Sequence, residues 1–304
     1  MNSNIMLLTR KIISLLILVF VGSSFNADPV FKEKKSDFIL WQLPSQINTN
    51  GNSYVFRMNN GKICVMDGGV KEETDYLRGF LASLGNEVEY WFISHPHLDH
   101  MGALNEILKD PKDVRIKNIY HFEMSKEYYS KYEVNFKPLT EEFYANLKKS
   151  GINVVNVKTP GILIKIGNTS FKVLNTKNED LLEENPYNNQ CMVVKVWDDA
   201  KSMVFLGDLG VEAGDKLLKS PYKKDLDCDY LQMAHHGQNG VSEAFYRAIR
   251  FRACLWPTPI WLWDNDSGKG YNSGEWETVK IRKLMEELGI KKHYIAWKGL
   301  SRIE

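Results

Sequence analysis

Nine consecutive residues, Ser94-His95-Pro96-His97-Leu98-Asp99-His100-Met101-Gly102, constrain this chain more than any other stretch of it. Three imidazoles and a carboxylate fall within six positions, directly after a buried-type strand signal at residues 88–94. Neutral imidazole and carboxylate are the ligands that suit zinc and similar divalent ions. Residues two apart on an extended chain point the same way, so His95 and His97 can grip one ion together. Asp99 and His100 fall on the turn into a helix beginning near Met101 and can face a second ion. Histidines that merely cap that helix would not explain four ligand-type side chains in so short a space.

Two later segments supply what this half-site lacks. Phe205-Leu206-Gly207-Asp208 is an apolar strand signal ending in a carboxylate that could bridge two metals. Alone, Asp208 would read as a turn residue capping a helix at residues 211–217. Leu231-Gln232-Met233-Ala234-His235-His236-Gly237 is another strand signal ending in imidazoles, with a glycine that allows close backbone approach. A lone His-His pair would read as structural. The weight lies in the combination of three strands, each ending in ligand-type residues.

Short strand and helix signals surround these segments. Residues 38–43, 53–58 and 62–66 are rich in β-branched, aromatic and aliphatic side chains, and Asn59-Asn60-Gly61 predicts a hairpin turn between the last two. Residues 72–84 carry Tyr76, Leu77, Phe80, Leu81 and Leu84 on one helical face before Gly85. Further strands are predicted at 114–120, 162–166, 170–174, 191–196 and 202–206, and further helices at 141–149 and 275–288. There is no repeat and no Pro-rich linker. Two strand-rich halves that each carry helices predict helix layers outside two packed sheets, a layered α/β fold in one domain.

His95-x-His97-x-Asp99-His100, then Gly207-Asp208, then His235-His236-Gly237 together resemble the metallo-β-lactamase superfamily over roughly residues 38–304. Asp67 in Val65-Met66-Asp67-Gly68-Gly69 matches that family's early structural Asp. The resemblance implies an αββα sandwich with two divalent metal ions at one edge of the sheets. It assigns His95 and His97 to the first ion, Asp99 and His100 to the second, and Asp208 to both. One departure stands out. Many relatives place another His between the first cluster and the bridging Asp, and here His121 comes too soon after His100. Asn188-Asn189-Gln190-Cys191 stands in its place, a pattern similar to hydrolase domains of competence-type DNA-uptake proteins and to phosphorylcholine esterases. Fewer protein ligands on the first ion weigh against β-lactam hydrolysis and towards phosphoester chemistry.

Of His235 and His236, adjacent on a strand, one is expected to ligate and the other to contact substrate. His236 is the preferred ligand. His235 is then the group that positions a phosphate or protonates the leaving group. His121 reads as structural, and His293 has no partner in view. Two ions ~3.5–4 Å apart lower the pKa of a shared water towards ~7, supplying hydroxide at neutral pH, and Asp99 can orient that nucleophile. The expected function is an exported dinuclear hydrolase, a phosphodiesterase or phosphoesterase acting on a small or polymeric phosphoester. Zinc is the expected metal, with manganese as the alternative. An ester or lactone hydrolase on the same site, and a secreted binding protein without turnover, are the rival readings. Trp256-Pro257-Thr258-Pro259-Ile260-Trp261-Leu262-Trp263 either contacts substrate or forms a hydrophobic wall; its prolines argue against a regular central strand.

Export is read from the N-terminus. Arg10 and Lys11, the apolar run 12–21 and the small residues Gly22, Ser23 and Ser24 read as a signal peptide over residues 1–24, leaving residues 25–304 as the hydrolase domain. An uncleaved anchor is the alternative, although the run is shorter than the ~20 apolar residues of a membrane-spanning helix. Loss of the signal leaves 37 basic against 38 acidic residues, so no membrane association is expected afterwards. No region is strongly basic, so no stable nucleic-acid complex is expected. The destination is periplasmic or extracellular, where Cys64, Cys191, Cys228 and Cys254 could pair, but their spacing specifies no disulfide.

Overall fold

The computed structural model describes residues 34–182 and 185–304; the predicted signal segment lies outside them. Residues Lys34–Glu304 form one compact unit. Its strands run in chain order through two sheets. The first sheet holds β1 (Phe38–Gln42), β2 (Ser53–Met58), β3 (Ile63–Asp67), β4 (Glu87–Phe92), β5 (Arg115–His121) and β6 (Asn153–Asn156). The second holds β7 (Leu163–Ile166), β8 (Thr169–Asn175), β9 (Val193–Trp197), β10 (Ser202–Phe205), β11 (Tyr230–Gln232), β12 (Ala253–Trp256) and β13 (Lys292–Ile295). A last strand, β14 (Ser301–Ile303), returns to pair with β1 on the edge of the first sheet. Each sheet therefore has seven strands among the described residues. Each combines an antiparallel portion with a parallel run, β3-β4-β5-β6 in one and β10-β11-β12-β13 in the other.

Helices cover both outer faces. On the first sheet lie α1 (Thr74–Leu84), α2 (Leu98–Lys109), α3 (Lys126–Tyr132) and α4 (Lys137–Lys149); in the second half lie α5 (Val211–Leu218), α6 (Glu243–Arg247), α7 (Ile260–Trp263) and α8 (Thr278–Glu287). The apolar stripe read over residues 72–84 is buried through Leu77 and Leu81, and Gly85 ends the helix at φ 106°. Between the sheets, aromatic rings interlock. Phe92 stacks on Phe171 with centroids 5.2 Å apart, and Phe205 meets Tyr54 at 4.9 Å and Phe56 at 5.6 Å. A second core lies where Leu217, Phe245, Ile281, Leu284 and Met285 of the outer helices cover Leu231 and Trp256. This is the αββα sandwich.

Local differences from the sequence reading have physical reasons. The first helix of the 137–149 region starts four residues earlier than expected, because Pro138 fits the first turn, where its missing N–H costs nothing. Strand β4 stops at Phe92, so Ile93 to His97 leave the sheet before α2 begins. Trp256 ends β12 inside the sheet, and Pro257 and Pro259 then lead the chain out to α7. The four cysteines are free thiols, three of them buried. Among the described residues no helix is long and apolar enough to cross a membrane.

Candidate metal centre

Every residue of the centre stands at or just beyond the C-terminal end of a strand: Asp67 closes β3, His95 to His100 follow β4, Asp208 follows β10, and His235 and His236 follow β11. Parallel strands of both sheets end here, which is where open α/β sheets gather functional groups. The loops fit tightly. A Cβ on Gly207, which has φ +57°, would lie 2.9 Å from the Ser94 Cβ, so glycine lets the Asp208 loop meet the histidine loop.

Two ligand-type groups result. Asp99, His100, Asp208 and His236 form one, and His95, His97 and Asp208 the other; within each group the ligand atoms lie within 4.8 Å of one another. Asp208 belongs to both. Its Oδ1 is 3.1 Å from His100 Nε2, and its Oδ2 is 3.5 Å from His236 Nε2 and 3.9 Å from His95 Nε2. His95 Nε2 and His97 Nδ1 converge to 2.8 Å. The helix-capping reading of Asp208 does not hold: α5 is capped by Gly210 without a side-chain bond.

The surroundings orient the rings. His236 Nδ1 donates to the Pro257 carbonyl at 2.9 Å, while its Nε2 faces Asp99 Oδ2 at 2.9 Å. His100 Nδ1 lies 2.9 Å from Asp67 Oδ2, which leaves its Nε2 to face Asp208. Asp67 also accepts from the Ser94 backbone N–H at 2.7 Å, the Ser94 hydroxyl at 2.9 Å and Asn52 Nδ2 at 2.7 Å. Outer partners of this kind fix which nitrogen is free to bind metal. The inner atoms, by contrast, lack good partners: His100 Nε2, His236 Nε2 and Asp208 Oδ1 are all buried without a well-directed hydrogen bond. Buried polar atoms left in this way are costly unless a ligand satisfies them.

Electrostatics agree. Burial, with help from neighbouring histidines, holds His95 well below the ordinary imidazole range, and burial lowers His97 to about 4, so both keep free lone pairs at neutral pH. Burial would also lower His236, but Asp208 and Asp99 outweigh it and raise that ring to about 10. Burial opposes the charged carboxylates of Asp99 and Asp208 as well, yet the His100 charge leads the effects that hold both below their usual range. The carboxylate pair draws positive charge to the middle of the centre, and this donor set of imidazoles and carboxylates fits divalent ions.

His235 and His236 are not adjacent strand residues facing opposite ways, as expected. Both have left-handed backbones, φ 50° and 57°, in a tight turn held by the His235 N–H on the Gly207 carbonyl at 3.1 Å. His236 is buried in the four-residue group, while His235 sits at the rim with its Nε2 3.8 Å from Asp208 Oδ2. His121 belongs to neither group; its ring packs between Phe143 and Tyr144 at the end of β5. His293 binds the Trp256 indole N–H at 3.0 Å, away from the ligand groups. Sequence reasoning missed Ser94, whose hydroxyl lies between Asp67, His95 and His100, and Tyr187, whose ring centroid is 4.6 Å from that of His97. Only the position of Ser94 directly before His95 hinted at such a role.

Residues 47–291 match the family model of the metallo-β-lactamase superfamily. Two solved structures with TM-scores above 0.5 share the architecture at low identity. YhfI from Bacillus subtilis, a metallo-β-lactamase fold protein, has a TM-score of 0.54 at 13% identity, covering 88% of this chain and all of its own. A mutant of the β-hydroxylase CmlA has a TM-score of 0.54 at 12% identity, covering 90% of this chain but 55% of CmlA. Igni18, a metallo hydrolase from the archaeon Ignicoccus hospitalis, has a TM-score of 0.49 at 12% identity, covering 88% of this chain and 99% of its own. No curated protein is significantly similar in sequence.

Proposed function

Because this chain belongs to the metallo-β-lactamase superfamily, whose members are typically metal-dependent hydrolases, we propose that it is an exported dinuclear metallohydrolase acting on phosphoesters. The observation that carries the reading is the sharing of Asp208 by two groups of ligand-type side chains. His95, His97 and Asp208 would hold one ion, and Asp99, His100, Asp208 and His236 the other. The nitrogen-rich donor set favours zinc, with manganese as the alternative. When bound, two such ions supply Lewis acidity to the substrate oxygens and make water acidic enough to serve as a nucleophile.

The side chains divide the remaining work. Asp99 carries a carboxylate aimed at His236, where it can also orient the attacking water. The partly exposed imidazole of His235 stands beside Asp208, suited in its doubly protonated form to meet a phosphoryl oxygen or to give the leaving group a proton. Pro257 and Asp67 hold His236 and His100 in place, so little reorganisation accompanies the reaction.

Preference for phosphoesters over β-lactams rests on the His95–His97 side of the centre. Its ligand group among the described residues is His95, His97 and Asp208 with no third histidine, Tyr187 packs on His97, and Asn188 follows Tyr187 in the chain. An ion held there by two imidazoles and one carboxylate would keep a coordination position for a phosphoryl oxygen. Export rests on the signal-like residues 1–24 alone. Turnover of bis(p-nitrophenyl) phosphate, p-nitrophenyl phosphate and a lactone panel by the metal-loaded protein tests the reading. Phosphoester turnover abolished by a chelator is expected; turnover of lactones alone would establish the rival hydrolase, and no turnover at all the binding protein.

A further inference from the structure

Resting on the phosphoester reading, we propose that Asn188 is a substrate-binding residue whose carboxamide steadies His235 and donates an N–H to a non-bridging oxygen of the phosphoryl group. Asn188 opens a turn of three carboxamide residues, Asn188–Gln190, that leads into β9. The other two build the turn. Asn189 Nδ2 donates to Glu212 at 2.8 Å, and its Oδ1 accepts from the Ala213 N–H at 3.2 Å. Gln190 donates to the Asn178 carbonyl at 3.0 Å and to the Tyr128 hydroxyl at 2.8 Å, and accepts from the Asn178 N–H at 2.7 Å.

Asn188 is different. It is 4% exposed, its Oδ1 is buried without a hydrogen-bond partner, and its Nδ2 reaches only a long contact of 3.4 Å to His235 Nε2. A carbonyl can only accept, so the Asn239 carbonyl, 3.2 Å from His235 Nδ1, fixes the proton on that nitrogen. His235 Nε2 is thereby turned towards Asn188 and towards Asp208 Oδ2, 3.8 Å away. The carboxamide and the imidazole therefore flank the carboxylate common to both ligand groups. The amide nitrogen carries two N–H bonds and makes only that one long contact, so a donor is left for a ligand oxygen, whereas Oδ1 can only accept. A neutral donor held rigidly beside a metal centre suits an oxygen that carries negative charge in the transition state.

The test uses inorganic phosphate as probe, titrated calorimetrically into the metal-loaded wild type, Asn188→Ala and the isosteric Asn188→Asp. We expect full metal content and unchanged melting in both variants, with phosphate affinity falling about tenfold in the first, the size of one hydrogen bond, and further in the second, whose carboxylate repels the anion. If Asn188→Ala does not fold, the isosteric variant carries the comparison. Wild-type affinity in a fully metallated variant would overturn the proposal, as would loss of metal, which would make Asn188 a ligand. Failure of the wild type itself to bind phosphate would instead overturn the phosphoester reading, and this proposal with it.

Discussion

The carboxylate of Asp67 and the imidazole of His100 meet at 2.9 Å, Oδ2 to Nδ1, with both side chains fully buried. That contact decides which face of the ring looks into the centre: with Nδ1 engaged, Nε2 is left 3.1 Å from Asp208. Asp67 reaches this position through a left-handed backbone, φ 57°, at the last residue of its strand. Non-glycine residues adopt that conformation at a cost of about 1–3 kcal/mol, which the four bonds to Ser94, Asn52 and His100 offset.

Replacing Asp67 with Asn keeps the volume and removes the charge. Metal affinity is expected to fall about 10–100-fold, the usual effect of losing a partner that orients a ligand. Metal titration with a competing chelator measures it. An affinity equal to wild type would show that His100 is oriented by other means.

Gly237 follows His236 at φ +81°, and a Cβ there would lie 2.4 Å from the Trp256 ring. Gly237→Ala therefore combines a left-handed alanine with a clash against a fully buried indole. A loss of more than about 1 kcal/mol is expected, since both backbone strain and overpacking act. Because His236 shares the turn, its metal should be lost as well. Denaturant unfolding and metal analysis on the same sample check both.

Glu133 lies in the loop between α3 and α4, with its carboxyl group near the Tyr187 backbone N–H. Burial raises its carboxyl from an ordinary 4.5 to about 7. Between these values the folded chain keeps a proton that the unfolded chain has lost, so the contribution of Glu133 to stability falls as pH rises through this window and is level above it. Glu133→Gln should remove that slope. Melting curves of both proteins at pH 5 and pH 8 give the comparison; parallel shifts would refute the assignment.

His121 provides the control. Its ring contacts are with Phe143 and Tyr144, and burial lowers it to about 4. His121→Phe should leave metal stoichiometry unchanged. A lost ion would make it a ligand.

The layers and the ligand segments were legible because each rests on a local signal. The apolar stripe over Leu77 and Leu81, the Asn59-Asn60-Gly61 turn between β2 and β3, and the apolar run before His95 are all written in consecutive residues. The conformation of His235 and His236 was not legible. Propensity argues for an extended chain there, and the left-handed pair exists only because tertiary contacts from Gly207 and Pro257 hold it. The roles of Ser94, Tyr187 and Asn188 were hidden for the same reason, since each depends on which distant strand ends meet it. Sequence could report that Asn188 stands where many relatives carry a histidine, but not that its amide lies beside His235.

The most direct test of the proposed dinuclear centre is metal content by mass spectrometry, on protein purified without chelator, for wild type beside Asp208→Ala and His97→Ala. Asp208 belongs to both ligand groups and His97 to one. The account predicts close to two ions per wild-type chain, a folded His97→Ala that keeps about one, and a folded Asp208→Ala depleted at both positions. A wild type that holds no ion after incubation with Zn²⁺ or Mn²⁺, or an Asp208→Ala that retains the full complement, would contradict it.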